Sequence, residues 1–513
     1  MKKQNKKIVL SVLFLCLMAL ISGISSARPK DEVRVALAYD PTTINMLEIK
    51  TGVDLPPILH MHESLLTVNA KTGEYTTDLS LTKSMALLPS GKDIRFRIRK
   101  NAVFHNGEPL TAHDIKFTYE QCVNPRNANL LSSSLEEIDE IEVVDDYTVI
   151  FHLYERYAAW KGLFWIGITS KNYFEKVGRA KFRSHPIGSG VFKFGERKIG
   201  EYITLERVDH PLVKPEFKTL KFVIVPDEVS RVALMKVGDL DLITNINPIH
   251  LRSLNKRKNV IIKREGKVPS LIGIAMRTDN YPVWKDMNLV RAFNYAIDRQ
   301  VIVDRVFLKE AYPLYMSASK AEIGYDPAIS FDFNPAKAKK LVAKSSYKPG
   351  TPLILTYTNT VPNSGIIAAI VQRYMKNVGV TVRLQQLESG VQATYSRNKD
   401  PREGHMVLYS MPGMRDPNMR LQLTIHSKSM YAAWTNRPSQ KEIDRLVTAQ
   451  SREIDPIKRL GLLKQLHAIL IAQPSGVSLF GLNQIYAHSD RIEYNWVPGQ
   501  ALPYHLQYIK MVR

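Results

Sequence analysis

The chain has 513 residues with 71 Lys and Arg against 49 Asp and Glu, a formal net charge of +22, and only two cysteines, Cys16 and Cys122. That length implies two or three domains. The positive surplus would suit nucleic acid, an anionic membrane face or an acidic ligand, but the basic residues are scattered and their densest internal cluster, Lys256-Arg257-Lys258, is short, which argues against nucleic acid and for a basic solvated surface.

In chain order, Lys2, Lys3, Lys6 and Lys7 precede an apolar run of 14 residues, Ile8 to Ile21, and then the small-residue stretch from Ser22 to Ala27. This is the pattern of an export signal cleaved near Ala27. A membrane-spanning helix needs about 20 apolar residues, so the run is too short for one. Phe14-Leu15 ahead of Cys16 lack the small residue that precedes a lipidated cysteine. The expected mature chain of about 486 residues carries a charge of +18 once the four signal lysines are removed, and a single thiol, Cys122. An exported chain without disulfides must rest on a large core. Cys122 is read as a packed small residue, and export argues further against nucleic acid.

Short strand-like runs then alternate with helical stretches, an α/β signature. Strands are expected over 32–38, 92–99, 147–153, 202–207, 221–225 and 380–387. Thr111 with Asp114 marks a helix start resembling a capping box, and further helices are expected over 335–344, 366–377, 439–449 and 456–472. No repeat, low-complexity segment or long linker is evident. Two domains without a linker imply a junction made of strands or short crossovers, which permits hinge bending.

The text GKDIRFRIRKNAVFHNGEPLTAHDIKFTYEQC, residues 91–122, resembles the central signature of the peptide/nickel class of bacterial extracellular solute-binding proteins. The physical reading agrees: Asn106-Gly107 supplies a tight turn with positive φ, and Thr111 caps the next helix. His185-Pro186-Ile187-Gly188-Ser189-Gly190-Val191-Phe192-Lys193, Val225 to Leu242, Asn288 to Arg305, and Gly324-Tyr325-Asp326-Pro327 with Asn334 to Ala338 resemble further blocks of that family in the same order. The similarity spans nearly the whole mature chain.

The resemblance implies a two-lobed α/β periplasmic-binding-protein fold with mixed sheets, the first lobe split into two subdomains and ligand enclosed by hinge closure. On that pattern, residues 1–27 are the signal, 28–268 form lobe I with a subdomain at about 60–185, 269–477 form lobe II, and 478–513 return to lobe I. It implies a periplasmic, monomeric component of an ABC importer that delivers peptide-like solutes to a permease in the cytoplasmic membrane, with no cofactor and no metal.

Dipeptide-binding members of the family hold the ligand amine with an acidic residue three positions before an Asp-Pro pair and the carboxylate with an Arg ahead of a second-lobe helix. Here the first position is Gly413, before Asp416-Pro417, and the second is Thr358, so both charged anchors are absent. Arg415 instead adds positive charge to the loop, either as a ligand contact or as a partner for Asp416. Tyr39, Thr43 and Asn45 follow the first strand in a loop that faces the cleft in related proteins, with a simple Asp-Pro turn as the plainer account. Met411 belongs to the same loop as Gly413, and Tyr431, Trp434 and Asn436 match an aromatic stretch that borders the family's pocket. Trp160 and Trp165 fit a core.

His60 and His62 with Glu63 do not have the H-E-x-x-H spacing and are read as structural, as is His105 in the turn motif. No Gly-x-Ser-x-Gly elbow is present. Two readings stand beside peptide import: the same transport role for a non-peptide anionic metabolite, suggested by the missing anchors and Arg415, and an exported hydrolase or chaperone, for which no nucleophile and base constellation is recognisable.

Overall fold

The computed structural model describes residues 29–413, 415–429 and 437–512; the signal segment, Tyr431, Trp434 and Asn436 lie outside the described residues. Where alternation was clear, strands formed. In Tyr202–Arg207 the apolar Ile203 and Leu205 are fully buried while Glu206 is exposed, the period of a half-solvated sheet. Asp93–Ile98 does the same with Ile94, Phe96 and Ile98 inward.

The seven-stranded sheet of the first lobe runs Val260–Glu265, Gln484–Ser489, Leu242–Ile243, Glu32–Leu37, Thr219–Ile224, Tyr202–Arg207, Phe192–Lys198. Glu32–Leu37 pairs in parallel with Thr219–Ile224 and the outer strands are antiparallel, so the sheet is mixed. A separate antiparallel sheet of four strands, Thr82–Leu87, Asp93–Ile98, Thr148–Leu153 and Ile138–Asp145, forms the subdomain of that lobe. Its core packs Phe96, Phe151, Phe164 and Tyr119 edge to face, with Tyr119 and Phe151 ring centroids 4.9 Å apart. Cys122 packs there, fully buried, its thiol pushed up to about 12 by burial.

Between these sheets the two recognisable motifs hold each other. Gly107 takes the turn at φ +86°, and this presents His105, whose Nε2 donates to the carbonyl of Gly190 (2.9 Å) while Nδ1 accepts the N–H of Gly188 (3.2 Å). The adjoining helix Ala112–Val123 starts with Asp114 accepting from the Thr111 N–H (2.9 Å), as its capping pattern anticipates.

The second lobe has a six-stranded mixed sheet, Ala311–Pro313, Gly476–Leu482, Ser270–Met276, Met406–Pro412, Leu353–Tyr357, Val382–Gln386. One face packs on Met287–Ala296, Arg299–Val306 and Ser364–Asn377 around the fully buried Trp284 and Phe293. Helices Asn418–Thr424, Gln440–Arg452 and Pro456–Ala472 lie on the other side and keep a small core of their own, around Leu421, Ile443 and Leu463.

The lobes are joined by continuing strands. Val260–Glu265 passes through residues 266–269 into Ser270–Met276, and Gly476–Leu482 passes through Asn483 into Gln484–Ser489. The members of the pair are antiparallel neighbours in both sheets, with Glu265 opposite Gln484 and Ile272 opposite Phe480. A two-stranded ribbon with only residues 266–269 and Asn483 outside the two sheets concentrates bending at one place. Arg264 braces it through Nε, which donates to both oxygens of Glu310 at 2.7 and 2.8 Å.

Candidate functional site

Strand Met406–Pro412 ends beside the hinge: Pro412 pairs with Ser270, and the Gly413 N–H donates to the Pro269 carbonyl at 3.0 Å. The chain that follows therefore turns along the edge where the lobes meet. Arg415 and Asp416 do not pair with each other. Arg415 crosses to lobe I and meets Glu74 at 2.7 Å and the Thr72 carbonyl at 3.2 Å. Asp416 accepts a two-pronged bond from Arg459 at 2.6 and 2.7 Å and also accepts the Asn418 N–H. Asn418 in turn donates to the Tyr157 hydroxyl at 3.0 Å, and burial pushes that phenol up to about 12.

A second interlobe contact lies at the end of Gln440–Arg452. Arg452 meets Glu137 at 2.5 Å and Glu155 at 3.6 Å, and the Ala158 N–H donates to the Ser451 carbonyl at 2.8 Å. Partly exposed ion pairs of this kind contribute about 0 to 1 kcal/mol each, enough to bias closure and weak enough to release. In the double variant Arg415→Ala/Arg452→Ala the closed population is expected to fall by a few-fold, read as a larger radius of gyration in X-ray scattering of the ligand-free protein. An unchanged radius would mean that these bridges do not hold the lobes.

The other positions singled out in the sequence fall as follows. Tyr39 projects into solvent, 63% exposed. Thr43 and Asn45 are buried in a local turn, where Thr43 Oγ1 accepts the Asn45 N–H (3.0 Å) and Asn45 Oδ1 accepts the Leu47 N–H (3.0 Å). Thr358 is buried just past Leu353–Tyr357, its hydroxyl 2.6 Å from that of Thr360. Met411 borders a cavity of about 50 Å³ inside lobe II, between the sheet and the helices Asn418–Thr424 and Pro456–Ala472. His60 and His62 are buried in lobe I, and His105 is half-buried there.

The cavity has charged residues that sequence reasoning did not single out. Arg420 and Arg437 both border it, 3% and 5% exposed. Arg420 Nη2 lies 3.0 Å from Glu322 Oε2, and the same oxygen accepts from the Ser319 N–H and hydroxyl at 2.7 and 2.6 Å. Burial raises the Glu322 carboxyl pKa and lowers that of the Arg437 guanidinium to about 10. Tyr409 adds a phenol pushed up to about 12 by burial. The arrangement can receive negative charge; among the described residues it carries no group of three or more His, Cys, Asp or Glu placed to hold a metal.

Comparison with known proteins matches residues 79–431 to the family described as bacterial extracellular solute-binding proteins, family 5, middle. The oligopeptide-binding protein AppA of Bacillus subtilis is 28% identical over 391 residues, 71% of each chain. Among solved structures, the ABC transporter substrate-binding protein CtaP of Listeria monocytogenes superposes with a TM-score of 0.81 at 23% identity, covering 90% of this chain and 95% of its own. AppA in complex with a nonapeptide gives a TM-score of 0.79 at 23% identity, covering 94% and 99%.

Proposed function

The chain belongs to family 5 of the bacterial extracellular solute-binding proteins, and we propose that it captures peptide-class solutes between its lobes and presents them to an ABC permease in the cytoplasmic membrane. It acts as a monomer in the periplasm after cleavage near Ala27, binds no nucleic acid and catalyses no reaction. The observation that carries this reading is the two-stranded ribbon through residues 266–269 and Asn483, with Gly413, Arg415 and Asp416 on the edge where the lobes meet. A hinge with a polar seam beside it suits a protein that encloses a ligand and later releases it to a partner. The related AppA, named for oligopeptides and solved with a nonapeptide, supports the ligand class.

Purified mature protein is expected to be stabilised by some members of a di- to nonapeptide panel. Saturation at about 100 times Kd adds about 2.7 kcal/mol, which is a melting shift of several degrees for lobes of this size. Stabilisation by no peptide at all would remove the peptide assignment. The second reading, a non-peptide anionic metabolite on the same transport route, is favoured by the uncharged Gly413 and Thr358 at the two positions where charged anchors were expected.

A further inference from the structure

Among the described residues, most buried arginines are supplied with acceptors. Arg299, 2% exposed, donates to the carbonyls of Leu314, Ser478 and Asn294 and to the Asn294 side chain. Arg277 is held by Glu403 and Asp279, and Arg459 by both oxygens of Asp416 and by Gln450. Arg420 differs. Its only charged partner among the described residues is Glu322, in an ion pair at 3.0 Å; none of its Nε, Nη1 and Nη2 has a hydrogen-bond acceptor, and Glu322 Oε1 has no donor. Arg437, which lines the same cavity, likewise leaves Nε without one among the described residues. A guanidinium has five donors and no acceptor, and leaving such groups unmet in the interior costs far more than a missing surface contact.

The position of Arg420 explains why it is there. A Cβ built on Gly413 would collide with Arg420 Nη2 and lie 3.0 Å from Glu322 Oε1. The glycine at the position expected to bear an acidic side chain is therefore the space through which an arginine reaches, and the charge offered beneath the loop is inverted. Met411, two residues earlier, lines the cavity that Arg420 also borders, and its volume of about 50 Å³ is several times what one water needs.

We propose that the ligand of the interlobe site carries a carboxylate that enters this lobe II cavity and pairs with Arg420, with Arg437 as the second cation. The inference rests on the solute-binding reading and deepens it: the amine anchor of a dipeptide site is replaced by an oxyanion anchor. The planar fork of arginine fits a carboxylate through two parallel bonds, which would supply the acceptors that Nε and Nη1 lack. An acidic peptide side chain or a non-peptide carboxylic acid offers the same group.

The test titrates intrinsic tryptophan fluorescence of the full mature protein with matched probes. One arm uses the C-terminally amidated peptides Ala-Glu-Ala-NH2 and Ala-Gln-Ala-NH2, which differ only in a side-chain carboxylate; the other uses citrate and glutarate against glutaramide. The expected result is a carboxylate probe that binds at least about 30-fold more tightly than its amide counterpart, the loss typical of an unpaired buried charge. That preference should disappear in Arg420→Gln/Glu322→Gln, where neither partner is left charged, and survive in part in Arg420→Lys. Thermal melts of both variants check that lobe II is folded. Equal binding of the glutamate and glutamine peptides, together with no preference for citrate or glutarate over glutaramide, would leave peptide import standing and remove Arg420 from recognition. Preference retained by the double variant, or no binding of a carboxylate in either arm, overturns the inference, whereas preference confined to citrate or glutarate keeps it and moves the ligand out of the peptide class.

Discussion

Acidification from pH 7 to pH 4.5 is expected to lower the melting midpoint of lobe I steeply, with most of the fall above pH 4.5. His60, His62 and His105 all have pKa values lowered to about 4, burial being the largest cause. The hydrogen bonds explain why the neutral ring is required. His60 donates from Nδ1 to the Pro56 carbonyl (2.6 Å) and accepts the Leu506 N–H at Nε2 (3.2 Å), so a second proton would face a donor. His105 has the same conflict at Nδ1, where it accepts the Gly188 N–H. His62 donates to the Ile168 carbonyl at 3.0 Å and has Nε2 buried without a partner.

The sign follows from proton counting. Between an unfolded pKa near 6.5 and a folded one near 4, the unfolded chain binds more protons, so stability is full above about pH 6.5 and is lost as pH falls toward 4. A shift of that size corresponds to about 3 kcal/mol per histidine, and three such groups approach the whole stability of a domain, about 5 to 15 kcal/mol. Burial raises Asp114 and Glu322, which works in the opposite direction. Carboxylates with lowered pKa, such as Asp93 beside Ser90 and His152, act only lower in pH. Melts followed by circular dichroism at half-unit steps would separate the two windows. A midpoint flat from pH 7 to 4.5 would show that these histidines do not stay neutral in the fold. Because His105 ties its turn to Gly188 and Gly190, the same titration should release the contact between the two motifs by which the family is recognised.

Several strands of lobe I were legible because one face of each meets water. Asp93–Ile98, Thr148–Leu153 and Tyr202–Arg207 all alternate buried and more open positions. The strands that make the hinge were not legible for the opposite reason. Ser270–Met276 is buried at six of its seven positions and Gln484–Ser489 at all six, so neither has a polar face to set a period. The sequence did indicate a junction without a linker, which the ribbon supplies. In the site, the absence of an acidic residue at Gly413 was visible, and so was positive charge nearby, but Arg415 drew attention and it bridges to Glu74. Arg420 sits seven residues beyond Gly413 in the short helix Asn418–Thr424, where spacing alone gives no reason to prefer it. Its meaning appears only when the space above Gly413 is measured.

In lobe II the substitution expected to cost most is Arg277→Met. Arg277 follows Ser270–Met276 and Glu403 precedes Met406–Pro412, and both side chains are wholly buried, with Arg277 Nη1 bound to Glu403 Oε2. The Arg277 N–H also donates to the His405 carbonyl at 3.0 Å. The pair thus fastens the far ends of the two strands whose near ends carry Leu271 and Met411 to the cavity. Methionine fills much of the arginine's volume but leaves the Glu403 carboxylate with only Gln392 and Ser396 as donors on its Oε1. Removing one partner of such a pair costs about 3 to 5 kcal/mol, whereas replacing both with uncharged groups is often close to neutral. Denaturant melts should therefore show a large loss for Arg277→Met and recovery of most of it in Arg277→Met/Glu403→Gln. Equal losses in both would mean that the packing of the arginine stem, and not the stranded carboxylate, sets the cost. Since the strand that follows Glu403 lines the cavity proposed to take the ligand's carboxylate, binding by the single variant is expected to weaken along with its stability, and to return in the double.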